Sequence, residues 1–131
     1  MSHAIKIETD HPPRISWYQR LRSYSSRLRI HYESDDFVIK TADCGRELLK
    51  ALELRHEIFV QEWQGKRTEH GLDVDELDSA GDHLLILDKA RTEVVGTYRL
   101  LCSRFTKTFY SESEFELSCF LRQPEVKLEL G

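Results

Sequence analysis

Between Ile15 and Ile30 the apolar positions Trp17, Leu21, Tyr24 and Leu28 recur at helical spacing, with Gln19, Arg22, Ser26 and Arg29 facing away. That period predicts an amphipathic, arginine-rich helix carrying a tryptophan. Two placements fit such a helix: lying on anionic lipid, or docking on the domain's own core with its arginines solvated. Residues 1–13 before it read as a loose tail closed by Pro12-Pro13. After it, FVIKTA (Phe37 to Ala42) reads as a strand. Asp43 is then the expected N-cap of a helix from about Gly45 to Trp63.

The apolar stripe of that second helix is Leu48, Leu52, Phe59 and Trp63, and Arg55 falls inside it. A guanidinium on a buried face needs a carboxylate or carbonyls, because an unpaired buried charge is costly; the alternative is a side chain that snorkels out at the stripe's edge. Residues 64–82 show no periodicity and carry Asp73, Asp75, Asp78 and Asp82. An irregular stretch of that length inside a compact domain leans towards function, although a solvated acidic loop fits the residues as well. It lacks the calcium-loop pattern, since Leu77 stands at the third acidic position with no glycine after it.

HLLIL (His83 to Leu87) and VVGTYRLLC (Val94 to Cys102) read as two strands of an antiparallel hairpin, turning through DKARTE. Along the second of them Arg99 shares a face with Val95, Thr97 and Leu101. A loop with one short helix around Phe115 to Leu121 follows, ended by Pro124. The last segment alternates, with Val126, Leu128 and Leu130 on one face and Lys127 and Glu129 on the other. The expected order is strand, helix, long loop, hairpin, short helix, strand.

Composition changes this picture in three ways. With 40% apolar and 32% charged residues the chain is an ordinary folding sequence, and no run is long and apolar enough for a membrane span or a secretory signal. Residues 1–32 carry six Lys/Arg against two acids, whereas residues 33–131 carry thirteen against twenty-one. An acidic body argues against nucleic acid as a partner and leaves the basic arm to find another surface. Cys44, Cys102 and Cys119 are odd in number and unpaired in spacing, which points to a reducing, cytoplasmic setting with neither disulfides nor a zinc site.

The run LRHEIFVQEW (Leu54 to Trp63), then GLDVDELD (Gly71 to Asp78), HLLIL, VVGTYRLL (Val94 to Leu101) and VKLELG (Val126 to Gly131) resembles the N-acyl amino acid synthases. These include the ornithine lipid synthases labelled hemolysin-like, within the GNAT superfamily; the acyl-homoserine lactone synthases share the layout. The resemblance covers residues 37–131, which sets a basic tail and helix over 1–36 apart from an α/β, GNAT-like domain of mixed, mostly antiparallel sheet. It implies that Arg55, Phe59, Trp63, Asp73, Asp75, Asp78 and Arg99 shape the amine-substrate side of a site, with loop carboxylates pairing with both arginines.

It further implies that Glu129 lies where the amine is deprotonated. An α-ammonium must lose a proton before it attacks a thioester carbonyl, and a carboxylate whose pKa is raised by partial burial can take it. Read without the resemblance, Glu129 is the solvent-facing half of an alternating strand. The implied reaction moves a long acyl chain from acyl carrier protein or CoA to an amino acid such as ornithine. Acyl-ACP or acyl-CoA is then a co-substrate, and no resident cofactor is expected.

Gly131 stands where the lactone branch has a serine, which favours the lipid-synthase branch. The family's glycine-rich pyrophosphate turn follows the fourth strand, beyond Gly131, so the sequence corresponds to the N-terminal half of the domain. Three expectations follow from that reading. The chain alone neither binds acyl-CoA nor catalyses transfer; it associates with itself through its last strand; and its basic helix holds it at the inner face of a membrane. The other readings kept open are a non-catalytic GNAT-like binding module and a homoserine lactone synthase.

Overall fold

The computed structural model describes residues 21–62, 74–75 and 77–131. Trp63 and Asp73, together with Trp17 and most of the basic segment, lie outside the described residues. Five strands form one sheet in chain order, each antiparallel to the next: β1 (His31–Glu33), β2 (Phe37–Thr41), β3 (Asp82–Asp88), β4 (Glu93–Cys102) and β5 (Leu128–Leu130). Helix α1 (Gly45–Glu62) joins β2 to the stretch before β3. A 3-10 turn (Tyr110–Ser113) and a four-residue helix α2 (Ser118–Leu121) lie between β4 and β5. The α/β expectation holds, and every strand pairing among the described residues is antiparallel.

Strand β1 was not expected from the sequence. It is three residues long and all three are exposed, so it carries no apolar signature. The Ser34 hydroxyl makes the turn that returns the chain to β2, accepting the Phe37 amide at 3.1 Å. An ion pair between Lys89 and Glu33 (2.7 Å) then ties β1 to the β3–β4 turn. In that turn the Asp88 carboxylate accepts the amides of Ala90 and Arg91, and Thr92 takes a left-handed conformation with φ 57°. A register shift opposite Ile86 and Leu87 leaves Val95 as the extra residue of a bulge in β4.

One face of the sheet carries the core. Residues opposite each other on neighbouring strands share a face, so Lys40, Leu85 and Thr97 point the same way, and so do His83 and Arg99, and Leu101 and Glu129. Leu85 packs with Ala42 and with Leu48, Ala51 and Leu52 of α1, and Leu21 and Tyr24 close the same cluster. Gly45 is required where these pieces meet, because a Cβ there would run into the Leu21 backbone carbonyl. Lys40 reaches from the sheet to Asp43 (3.0 Å) and Glu47 (2.9 Å) at the start of α1, while Glu47 accepts the Asp43 amide.

Three details correct the sequence reading. The buried face of α1 is Leu48, Ala51, Leu52 and His56, so the stripe turns through His56 and leaves Phe59 half exposed. The short helix expected at Phe115 to Leu121 is confined to Ser118–Leu121, and an unexpected 3-10 turn precedes it, where the Glu112 carboxylate takes the Phe109 amide (2.6 Å). In the last segment the alternation is right and the apolar face of Val126, Leu128 and Leu130 is uncovered; the correction is Lys127, which is buried with its ammonium on the carbonyls of Gln123 and Glu125. Tyr32, Tyr98 and Leu130 lie open on the face of the sheet away from α1.

Candidate functional site

Where α1 crosses β4, the long loop delivers Asp78 into the gap. Its carboxylate is fully buried and receives Arg55 in a two-pronged contact, Nη1 to Oδ1 at 2.6 Å and Nη2 to Oδ2 at 3.2 Å. Arg99 Nη1 donates to the same Oδ1 at 2.9 Å and the Asp75 amide donates to Oδ2 at 2.8 Å. Arg99 Nη1 also donates to Asp75 Oδ1 at 2.6 Å. One buried acid thus fixes two arginines from two elements, which is how a charge inside a fold becomes tolerable. The buried-partner reading of Arg55 holds: its side chain keeps 19% of its exposure and does not snorkel away.

His83 backs this network, and the sequence reading had no role for it. It lies opposite Arg99 in register and is wholly buried. Its Nε2 stands 2.9 Å from the Asp78 carbonyl, which can only accept, so Nε2 carries the hydrogen and Nδ1 is left as a buried acceptor without a partner among the described residues. Burial lowers its pKa and keeps the ring neutral beside two guanidinium groups. Tyr24 presents its ring edge to His83 at 5.9 Å and donates its hydroxyl to the Gly81 carbonyl at 3.2 Å. Asp82, from the same acidic loop, serves the fold: it accepts the amides of Arg27 (2.6 Å) and Leu28 (3.2 Å).

Glu129 comes from β5 and projects onto the Arg99 face. Its Oε1 accepts the Tyr110 amide at 2.8 Å, and its Oε2 accepts the Ser111 amide at 3.0 Å and the Ser111 hydroxyl. Burial alone would raise its pKa, but the Ser111 and Tyr110 donors outweigh burial and the pKa is lowered. The expectation of a raised pKa is therefore reversed, because the 3-10 turn places three donors on the carboxylate. Asp75 behaves likewise: burial opposes ionisation, while Arg99 and the Leu77 amide more than compensate and hold its pKa down.

These groups open onto a cleft of about 460 Å³ whose walls include Arg55, Phe59, Asp75, Arg99 and Glu129. Five of the sequence-predicted residues meet there, and Asp78 stands behind them as their anchor. Thr97, Tyr110 and Ser111 also line it, and Tyr110 covers the Arg99 guanidinium at 5.8 Å. Of these, only Thr97 had a signal in the sequence, since it shares a strand face with Arg99. Among the described residues no group of three or more His, Cys, Asp or Glu is placed to hold a metal ion, and no helix is long and apolar enough to cross a membrane.

Chemically the cleft presents fixed charges of both signs at short range. A guanidinium has five N–H donors, and among the described residues both side-chain hydrogen bonds from Arg99 leave from Nη1, so Nη2 and Nε face no partner there and suit a ligand anion. Glu129 and the outer oxygen of Asp75 remain for a ligand cation.

A family model described as an acetyltransferase (GNAT) domain matches residues 54–131. The chain is similar to the L-ornithine N(alpha)-acyltransferase of Agrobacterium fabrum, 36% identical over an alignment of 100 residues that covers 66% of this chain and 34% of that protein. The enzyme of the same name from Rhizobium meliloti is 36% identical over 109 residues, 70% of this chain and 36% of that protein. That from Rhodobacter capsulatus is 32% identical over 107 residues, 72% of this chain and 41% of that protein. The chain spans between a third and about two fifths of the length of these relatives. No solved structure matches it significantly. Every residue of the cleft, from Arg55 on α1 to Glu129 on β5, falls within the stretch that the family model matches, and the chain belongs to the GNAT acetyltransferase family.

Proposed function

We propose that this chain forms the acceptor side of an N-acyltransferase that moves a long acyl group from a carrier thioester to the α-amine of an ornithine-type amino acid. The observation that carries the reading is the pairing of Arg99, with unused donors, and Glu129 on one face of the β4–β5 pair. A zwitterionic amino acid presents the complementary pair, a carboxylate for the guanidinium and an ammonium for Glu129. The names of the relatives supply the acceptor class.

In the reaction the amine nitrogen attacks the thioester carbonyl carbon, the C–S bond breaks, and an amide and a free thiol result. With its lowered pKa, Glu129 stays ionised and holds the ammonium in place. The ammonium gives its first proton to solvent before attack; in the tetrahedral adduct the nitrogen is cationic again and far more acidic, and Glu129 takes that second proton, which passes to the departing thiolate. The donor is acyl carrier protein or CoA, and acyl carrier protein is a partner in the first case. The basic N-terminal segment would keep the enzyme near an anionic membrane surface, where a lipid product belongs.

The test is to express the reading frame that encodes this sequence in cells fed labelled ornithine and to examine the extracted lipid by mass spectrometry. Labelled N-acyl-ornithine is expected. Label absent from lipid, or a homoserine lactone as the acylated product, overturns the reading.

A further inference from the structure

The acceptor reading accounts for Arg99 and Glu129 and gives the outer side of Asp75 no role. Asp78 is shared by Arg55 and Arg99, and Asp75, which lines the cleft, is the second carboxylate on Arg99. Its two oxygens are not equivalent. Oδ1 accepts Arg99 Nη1 at 2.6 Å and the Leu77 amide at 2.9 Å, whereas Oδ2 takes no hydrogen bond among the described residues. The side chain keeps 41% of its exposure, in contrast to Asp78, which keeps none. Asp75 is therefore oriented on one side and open to the cleft on the other.

Among the described residues, the carboxylates of Asp75 and Glu129 both line the cleft beside Arg99. An amino acid with two ammonium groups offers a cation to each. Glu129 pairs with Leu101, two residues along β4 from Arg99, which makes Glu129 and Arg99 diagonal neighbours on the cleft face, roughly 7–8 Å apart, while Asp75 is in direct contact with Arg99.

We propose that Asp75 is the residue that selects a diamino acid, receiving the acceptor's side-chain ammonium on Oδ2 while Arg99 holds the carboxylate and Glu129 faces the α-amine. The inference rests on the acceptor reading above and adds the substrate feature that the cleft reads. Asp75 does not take part in bond making. It sets which amino acid is held with its α-amine towards the acyl donor, and it disfavours acceptors with an apolar or acidic side chain.

The test is calorimetric titration of the chain with L-ornithine and with L-norvaline, which differ by the terminal amine alone. Asp75→Asn and Glu129→Gln variants are titrated in the same way. Asp75→Asn keeps Oδ1 for the Leu77 amide and removes the charge. The unsubstituted chain is expected to prefer ornithine by about tenfold, the scale of one charge-assisted hydrogen bond. Asp75→Asn brings the ratio to near one. Glu129→Gln weakens both ligands and leaves the ratio in place, because the α-amine is common to them. Equal affinity of the unsubstituted chain for both ligands, or a preference that survives Asp75→Asn, overturns the proposal and leaves the acceptor reading standing. Failure of both amino acids to bind overturns the two together.

Discussion

At the scale of single residues, Asp78 decides how the site is held. Its buried carboxylate takes two guanidinium groups and a backbone amide, so its removal leaves Arg55 and Arg99 without the anion they share. Breaking a buried charge pair from one side costs about 3–5 kcal/mol. Asp78→Ala is therefore expected to lower stability in urea denaturation by that amount, against about 1 kcal/mol or less for Asp75→Ala, where solvent screens the pair. Equal losses for the two variants would show that the network is not anchored at Asp78. Arg55 was legible in the sequence because a charge inside an apolar stripe demands a partner. His83 was not: a histidine opening an apolar strand looks like any strand residue until the register sets it behind Asp78 and opposite Arg99. Ser111 and Tyr110 were hidden for another reason, since their role depends on a turn that brings backbone amides, which carry no sequence signature, onto Glu129.

At the scale of elements, a helical period identified α1, and runs rich in apolar and β-branched residues identified β2, β3 and β4. β1 and the burial of Lys127 carried no such pattern: three exposed residues make none, and the carbonyls that bury Lys127 belong to the chain just before it. The basic segment divides in the same way. Leu21 and Tyr24, two members of its apolar stripe, lie in the domain core, and Arg27 is bound to the Ala80 carbonyl at 2.9 Å and rests over Phe105. For this part of the segment, docking on the domain describes the structure. Affinity for a membrane would then be carried by the arginines more than by the apolar stripe. Co-sedimentation with anionic vesicles is expected at low salt and is lost as salt rises. Equal pelleting with neutral vesicles would contradict this reading.

At the scale of the whole molecule, one face of the sheet is closed by α1 and the segment around Leu21, and the other presents Tyr32, Tyr98 and Leu130 to solvent. Exposed apolar residues gathered on one face can carry association. If copies of this chain associate through it, sedimentation velocity shows concentration-dependent dimers, which Leu130→Lys weakens; a monomer at all concentrations opposes it. The fold class and the five residues of the cleft were legible through the resemblance of the quoted motifs, and four of the five, Arg55, Phe59, Arg99 and Glu129, also stand on a helix or strand with a readable pattern. The geometry that turns them into a site rests on the loop that carries Asp75 and Asp78, which has no period to read. The central claim is that this cleft holds the acceptor amino acid. Its most direct measurement is the backbone amide spectrum of the isotopically labelled chain during titration with L-ornithine. Saturable shifts centred on Thr97, Arg99, Ser111 and Glu129 are the predicted result; no shifts at millimolar ornithine, or shifts confined to other parts of the chain, would contradict it.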